Sequence, residues 1–237
     1  MKGELLYEGK AKQVFTVVGD DTQLVLSYKN DATAFNGEKK ATFTGKGRYN
    51  NLISAKVFEF LHEKGVASHF ERVLNDTEQL VQKTTIIPIE VVVRNLAAGS
   101  ITRRFGIEEK TAFTPSLVEF YYKNDALGDP LMSDDHALLL TDVSLEEIAE
   151  IKSAALQVNE QLQKFFLGIN LVLVDFKLEF GRNVDGKIVL SDEVSPDTCR
   201  LWDKDTGKKM DKDVFREGLG DLLDVYDNIL NRLEAVK

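Results

Sequence analysis

The chain of 237 residues has little of what staples or cages a small protein. Its one cysteine, Cys199, leaves no intramolecular disulfide, and its three histidines, His62, His69 and His136, are scattered without zinc-ligand spacing. Apolar runs are short: none approaches the ~20 residues needed to cross a bilayer, and the opening MKGELLYEGK lacks the apolar core of a signal peptide. Basic charge is in deficit. With 30 lysines and arginines against 39 acids, the net charge of -9 excludes a general nucleic-acid or anionic-membrane binder, so any phosphate ligand must be held by locally placed basic residues. What remains, 43% hydrophobic and 29% charged residues, is ordinary for a globular chain able to bury a large core. The expectation is a soluble, unexported protein of the reducing cytoplasm.

No repeat, low-complexity tract or clear linker is present. The first ninety residues read as sheet with one helix. ELLYEG, QVFTVV and QLVLSYK are strand-like, with a hairpin turn at Gly19-Asp20-Asp21, and HFERVL, QLVQK and IPIEVVVRN add further strands. Tyr49, Ile53, Val57 and Phe60 recur at helical spacing, predicting a helix over Tyr49 to Lys64 that ends at Gly65. The second half reads as more helical. Ser144-Leu145-Glu146-Glu147 is a capping box ahead of Ile148, Ile151, Ala155, Val158, Leu162 and Phe165, and Gly168 closes that run. Phe215, Leu219, Leu222, Tyr226, Ile229 and Leu233 predict one C-terminal helix. Between them, LVLVDFKLEF and KIVLSDEVS form a hairpin through Asn183 to Gly186. The change of character places a boundary near residues 85 to 95, giving an antiparallel β-rich unit with one helix at 1–87 and an α+β unit at 88–237.

In LVLVDFKLEF the two-residue period of a strand puts Asp175, Lys177 and Glu179 on one face. Alone, this run reads first as a solvated strand face of weak ion pairs. The hairpin, however, returns Asp192-Glu193 toward Glu179, and clustered carboxylates call for a cation. Oxygen ligands of this kind suit Mg²⁺, which takes one or two carboxylates plus nucleotide phosphates, and Lys177 would then face a transferring phosphoryl group, as in the kinase arrangement. Gly9-Lys10-Ala11-Lys12 sits between two strands, where backbone and lysines can approach a phosphate or simply be solvated. No Walker A pattern occurs, and GKGRYN fails the dinucleotide fingerprint at Asn50. Lys83 is a second nucleotide-facing lysine or a strand-end charge. The run VVVRNLAAGSITRRFG brings Arg94 and Asn95 to a helix start at Ser100, which is either an anion site or a plain N-cap. Arg200 is a further phosphate or carboxylate fork, and Trp202 beside it reads as core or interface. No histidine has an evident partner, Cys199 reads as packing, and the acidic stretch Asp203 to Asp213 reads as a solvated loop and helix start.

Taken together, YEGKAKQVF, KNDATAF, PIEVVVRNLAAGS, KNDALGDP, LVDFKLEFG and DEVSPDTCRLWD occur in an order that resembles the SAICAR synthetase family over nearly the whole chain, in its short monofunctional bacterial form without a fused carboxylase domain. The resemblance implies an α+β, two-lobed fold related to kinase and ATP-grasp architectures, with ATP in a cleft between lobes. It implies an ATP-dependent ligase that condenses 5-aminoimidazole-4-carboxylate ribonucleotide (CAIR) with L-aspartate to SAICAR, ADP and phosphate in purine biosynthesis. By similarity, Lys10, Ala11 and Lys12 line the ATP phosphates, Lys83, Thr85, Ile86 and Ile87 lie at the adenine and hinge, and Lys123 adds to the nucleotide side. Glu179 and Asp192 hold Mg²⁺. Arg94, Ser100 and Arg200 take the ribose phosphate, Asp129 lies on the substrate side, and Asp175 and Lys177 sit at the reacting carboxylate. A mobile loop at Asp31 to Gly37 and a homodimer are expected on the same ground.

Overall fold

The structure is a computed structural model that describes residues 1–34 and 39–235. Its N-terminal strands β1 (Lys2–Glu8), β2 (Lys12–Val17) and β3 (Asp20–Tyr28) run as a meander, and β6 (Phe70–Asn75) and β7 (Glu78–Gln82) complete an antiparallel sheet of order β1-β2-β3-β7-β6. Strands β4 (Asp31–Ala34) and β5 (Lys39–Thr42) pair with each other. Residues 31–34, expected as part of a mobile loop, are therefore strand, and residues 35–37 of that expectation lie outside the described residues.

Helix α1 (Lys46–Glu63) begins three residues earlier than the apolar spacing predicts. Its N-terminus is capped from a distance: Asn30 Oδ1 accepts from the backbone N–H of Gly45 and Gly47 at 3.2 and 3.1 Å. Gly47 can sit there because a Cβ would fall 2.5 Å from the Tyr28 carbonyl oxygen. Periodicity is blind to both causes.

The second half, expected as an α+β unit more helical than the first, is built on a second sheet. Strands β8 (Thr85–Leu96), β9 (Ala112–Tyr122), β10 (Leu131–Met132), β11 (Leu171–Arg182) and β12 (Ile188–Leu190) follow the order β10-β9-β8-β11-β12, and β13 (Cys199–Asp203) pairs with β11. The short α2 (Ser100–Phe105) and α3 (Asp134–Leu140) connect strands, while α4 (Leu145–Gly168) lays Ile148, Ile151, Ala155, Val158 and Leu162 against the sheet. Its capping box forms as predicted, with Ser144 Oγ accepting from Glu147 N–H and Glu147 accepting from Ser144 N–H. The predicted single C-terminal helix is two: α5 (Asp213–Glu217) stops at Gly218, which adopts φ 68°, and α6 (Leu222–Ala235) restarts with Asp221 Oδ1 accepting from Leu223 N–H. Leu219 drops out of the apolar stripe and is 58% exposed. The glycines of Glu217-Gly218-Leu219-Gly220 outweigh the hydrophobic spacing.

One apolar core runs from α1 (Ile53, Phe58) through β8 and β11 to α4 and α6. The boundary expected after residue 87 falls inside β8, all of which belongs to the second sheet. Among the described residues no helix is long and apolar enough to cross a membrane.

Candidate active site

Strand β11 supplies the central side chains of a cavity of about 880 Å³, and its register explains their pairing. Asp175 stands opposite Arg94, Lys177 opposite Val92 and Glu179 opposite Glu90 on β8. Facing carboxylates at Glu179 and Glu90 would repel. Lys177 Nζ relieves this by reaching Glu90 Oε1 at 2.7 Å and Glu179 Oε1 at 3.1 Å, while Lys123 Nζ donates to the same Glu179 oxygen at 2.6 Å. This is not a solvated strand face, because Asp175 and Glu179 are only 3% and 4% exposed. Burial would discharge Lys177, but Glu179, Glu90 and Asp192 more than offset it and hold its pKa well above the ordinary lysine range.

The β11–β12 hairpin does bring the next acids back. Ser191 N–H donates to the Glu179 carbonyl at 2.9 Å, so Asp192 and Glu193 emerge beside Glu179, where Lys12 pairs with both. Glu193 Oε2 touches the Lys12 ammonium as an ion pair yet finds no partner in hydrogen-bonding geometry. Burial works to raise the Asp192 pKa, and the charges of Lys12, Lys177 and Lys123 outweigh it and keep the group below its ordinary value. The donors converging here are hard carboxylate oxygens held by lysines. Among the described residues no three such groups form a metal cage by themselves.

Farther along β11 the chemistry changes to arginine forks. Arg94, 2% exposed, donates from Nε to Glu119 Oε2 and from Nη1 to Asp175 Oδ2, both at 2.6 Å, and from Nη2 to Ser100 Oγ at 3.2 Å. Arg200 reaches both Asp175 oxygens from Nη1 at 3.1 and 3.0 Å and Asp213 from Nε at 2.8 Å. Asp175 thus holds two arginines in place. Gly99 makes room for one of them: at φ 66° its missing Cβ would lie 2.6 Å from Arg200 Nη2. Ser100 is the first residue of α2 and not its N-cap, which is Gly99, so its hydroxyl is available to Arg94.

Of the other expected residues, Lys10, Ala11, Lys12, Ile86, Lys123 and Asp129 line the cavity. Lys10 extends over its mouth to Asp125 at 2.6 Å, and Asp129 accepts from Asn124 N–H at 2.8 Å. Lys83 and Thr85 are exposed and outside the lining, and Ile87 is fully buried; Gln82 and Thr84 line the wall there instead. Cys199 is 3% exposed and burial pushes its thiol far up, consistent with packing, and Trp202 is core at 6%. The acidic stretch is not solvated throughout: Asp203, Asp211 and Asp213 are buried, Asp203 paired with Arg232 and Asp213 with Arg200. His136 does have a partner, closing a capping box with Ser133, and buried His69 donates from Nδ1 to the Leu190 carbonyl at 2.9 Å. Residues that sequence reasoning passed over also line the cavity, among them Glu90, Asp197, Lys212 and Arg216. Glu90, two residues upstream of Val92 on an apolar strand, carried the one usable signal, a lone acid in IPIEVVVRN.

The SAICAR synthetase family model matches residues 5–233. A phosphoribosylaminoimidazole-succinocarboxamide synthase of Oceanobacillus iheyensis is 66% identical over 235 residues, covering 99% of either chain. The crystal structure of such a synthase from Ehrlichia chaffeensis superposes with a TM-score of 0.95 at 44% identity, over 99% of this chain and 100% of that one. A SAICAR synthetase solved in complex with ADP superposes with a TM-score of 0.94 at 46% identity, over 99% of each. With its lysine-bracketed carboxylates and paired arginine forks carried on the same fold from end to end, the chain belongs to the SAICAR synthetase family.

Proposed function

We infer that the protein is an ATP-dependent ligase that joins CAIR to L-aspartate, releasing SAICAR, ADP and phosphate in purine biosynthesis. The observation that carries this reading is the arrangement along β11, where one strand presents Lys177 and Glu179 to a lysine-rich acidic pocket and Asp175 to two arginines of the same cavity. A transferring phosphoryl group suits the first, and a phosphorylated nucleotide the second.

A carboxylate is a poor acyl donor. In this reading the γ-phosphoryl group moves from ATP to the CAIR carboxylate, and the amine of L-aspartate then attacks the acyl phosphate and expels phosphate. Lys10, Ala11 and Lys12 bind the ATP phosphates, Ile86 contributes to the adenine wall with the backbone around Lys83, Thr85 and Ile87, and Lys123 closes the nucleotide side. Arg94, Ser100 and Arg200 bind the ribose phosphate, with Asp129 at the substrate side and Asp175 orienting both guanidinium groups. Lys177 stays protonated and holds negative charge at the reacting carboxylate, so it does not serve as a base near neutral pH. Glu179 and Asp192 would hold Mg²⁺, which would supply neutralisation of phosphate charge when bound. Positioning and charge stabilisation then provide most of the rate.

The part that carries β1 to β7 and the part from β8 onward, divided ahead of β8 instead of after residue 87, act as two lobes about an ATP cleft in the manner of kinase and ATP-grasp enzymes, and the protein works in the cytoplasm as a homodimer on small molecules without nucleic acid or membrane. The test is ADP release from ATP, Mg²⁺ and CAIR with and without L-aspartate. ADP and the succinocarboxamide formed one-for-one only with all substrates present is the expected result. Aspartate-independent ADP release with a phosphorylated product would make the protein a small-molecule kinase instead.

A further inference from the structure

Lys12 and Lys177 each have two carboxylates within reach, and the reaction above uses only one of each pair. Lys177 Nζ donates to Glu179 Oε1 at 3.1 Å and to Glu90 Oε1 at 2.7 Å. Lys12 forms ion pairs with both Asp192 and Glu193. Glu179 and Asp192 are the acids given to Mg²⁺, whereas Glu90 and Glu193 line the same cavity and have no part in it. Lys123 is the contrast: among the described residues its one acid is Glu179, and its side chain is 41% exposed.

A carboxylate that coordinates a metal offers less to an ammonium, and the two cations repel each other. A lysine paired with Glu179 or Asp192 alone would therefore be displaced when Mg²⁺ is bound there. Glu90 and Glu193 are placed to prevent this. Glu90 stands in the middle of β8, between Tyr121 of β9 and Glu179 of β11, and its bond to Lys177 is the shorter of the two. Glu193, with its side chain 5% exposed, is pinned through the backbone on both sides. Its carbonyl accepts from Thr198 Oγ1 at 3.3 Å, and the N–H of Val194 donates to Ser54 Oγ of α1 at 3.3 Å. Since Glu193 Oε2 has no partner in hydrogen-bonding geometry, Lys12 is what answers its charge. The neighbouring buried acids are already engaged, Asp175 by two arginines and Asp197 by Lys46 and Tyr226.

We propose that Glu90 and Glu193 are the permanent counter-ions of the two lysines, each a positioning residue, while Glu179 and Asp192 exchange lysine for metal. Glu90 keeps Lys177 aimed at the reacting carboxylate, and Glu193 keeps Lys12 on the ATP phosphates. Because one lysine serves bond making and the other binding, the two acids separate in kinetics although their settings are alike.

The inference rests on the ligase reading, and the experiment separates the two. Steady-state kinetics on the unsubstituted enzyme, Glu90→Gln and Glu193→Gln would vary each substrate in turn, with ADP titrated calorimetrically in Mg²⁺ and again in EDTA. Glu90→Gln should lower kcat by at least about tenfold and leave the Kd for ADP within roughly threefold. Glu193→Gln should raise the KM for ATP and the Kd for ADP in Mg²⁺ by at least about tenfold, with a smaller loss of kcat. Its loss of ADP affinity should shrink in EDTA, where Asp192 is left to hold Lys12; a merely disordered site would lose affinity equally in both. Should either variant fail to fold, the shortened Glu90→Asp or Glu193→Asp carries the same expectation. Equal losses of kcat and ADP affinity in both variants, or no change beyond about threefold in either, would overturn the assignment while leaving the ligase standing. No succinocarboxamide from the unsubstituted enzyme would overturn the ligase and the role of Glu90 with it, and the ADP titrations would still decide Glu193.

Discussion

The two ends of the β11 face solve the same problem, buried charge, with different residues. At one end Lys12, Lys123 and Lys177 bracket Glu90, Glu179, Asp192 and Glu193; at the other, Arg94 and Arg200 grip Asp175, with Glu119 and Asp213 outside them. Lysine is a rotatable point charge with three donors, able to follow charge that moves between phosphate and carboxylate. Arginine is a rigid fork that fixes direction and cannot lose its proton. Two of the three lysines are wetter than either arginine, the Lys177 and Lys123 side chains being 29% and 41% exposed against 3% for Arg94 and 21% for Arg200, while Lys12 is sheltered at 13%. In the proposed reaction, movable charge lies where bonds change, and fixed charge where a ligand is held.

The comparison is broken most severely at the dry end. Arg94→Met strands Asp175 and Glu119 without their fork, and should cost about 3–5 kcal/mol of stability in denaturant unfolding. A loss below ~1 kcal/mol would mean that Arg200 and Arg104 can satisfy both acids unaided. At the wet end, Lys177→Ala should lower kcat by roughly 10²–10³-fold, about 3–4 kcal/mol of barrier, while ADP affinity measured by calorimetry moves far less. Unchanged turnover would remove Lys177 from the mechanism.

His69 sharpens the contrast, because it is a dry point beside the lysines. Burial lowers its pKa to about 4, with Lys12 adding to the effect and the bond to Leu190 opposing it. The folded value lies below the unfolded one near 6.5, so the neutral imidazole contributes stability above pH ~6.5 that is lost as pH falls toward 4. Unfolding free energies at pH 7 and pH 5 should show His69→Asn, which keeps a donor for the Leu190 carbonyl, losing about 2 kcal/mol less on acidification than the unsubstituted protein. Equal losses would place the acid sensitivity among the carboxylates.

What could be read in advance follows the range of the interaction responsible. The Ser144–Glu147 box, the alternation along β11 and the hairpin that returns Asp192 are local, and each is written within about ten residues. The split between α5 and α6 was equally local, carried by Gly218 and Gly220, but apolar spacing across the break concealed it. Lys46 could not be read at all: it looks like a solvated lysine in a glycine-rich stretch, and only its contact with Asp197, 151 residues away, explains its complete burial.

The sequence by itself determined the family, the strands β1 to β3, β6 to β8, β11 and β12, the long helices α1 and α4, and which side chains on β11 share a face, because motif order and the two-residue period survive without knowledge of partners. Tertiary structure alone decided that this face is buried, that Asp175 serves two arginines, and that Lys177 stands between two acids. The physical reason is that a charge is tuned by whatever surrounds it within a few ångströms, and here those neighbours come from β8, β13 and α1.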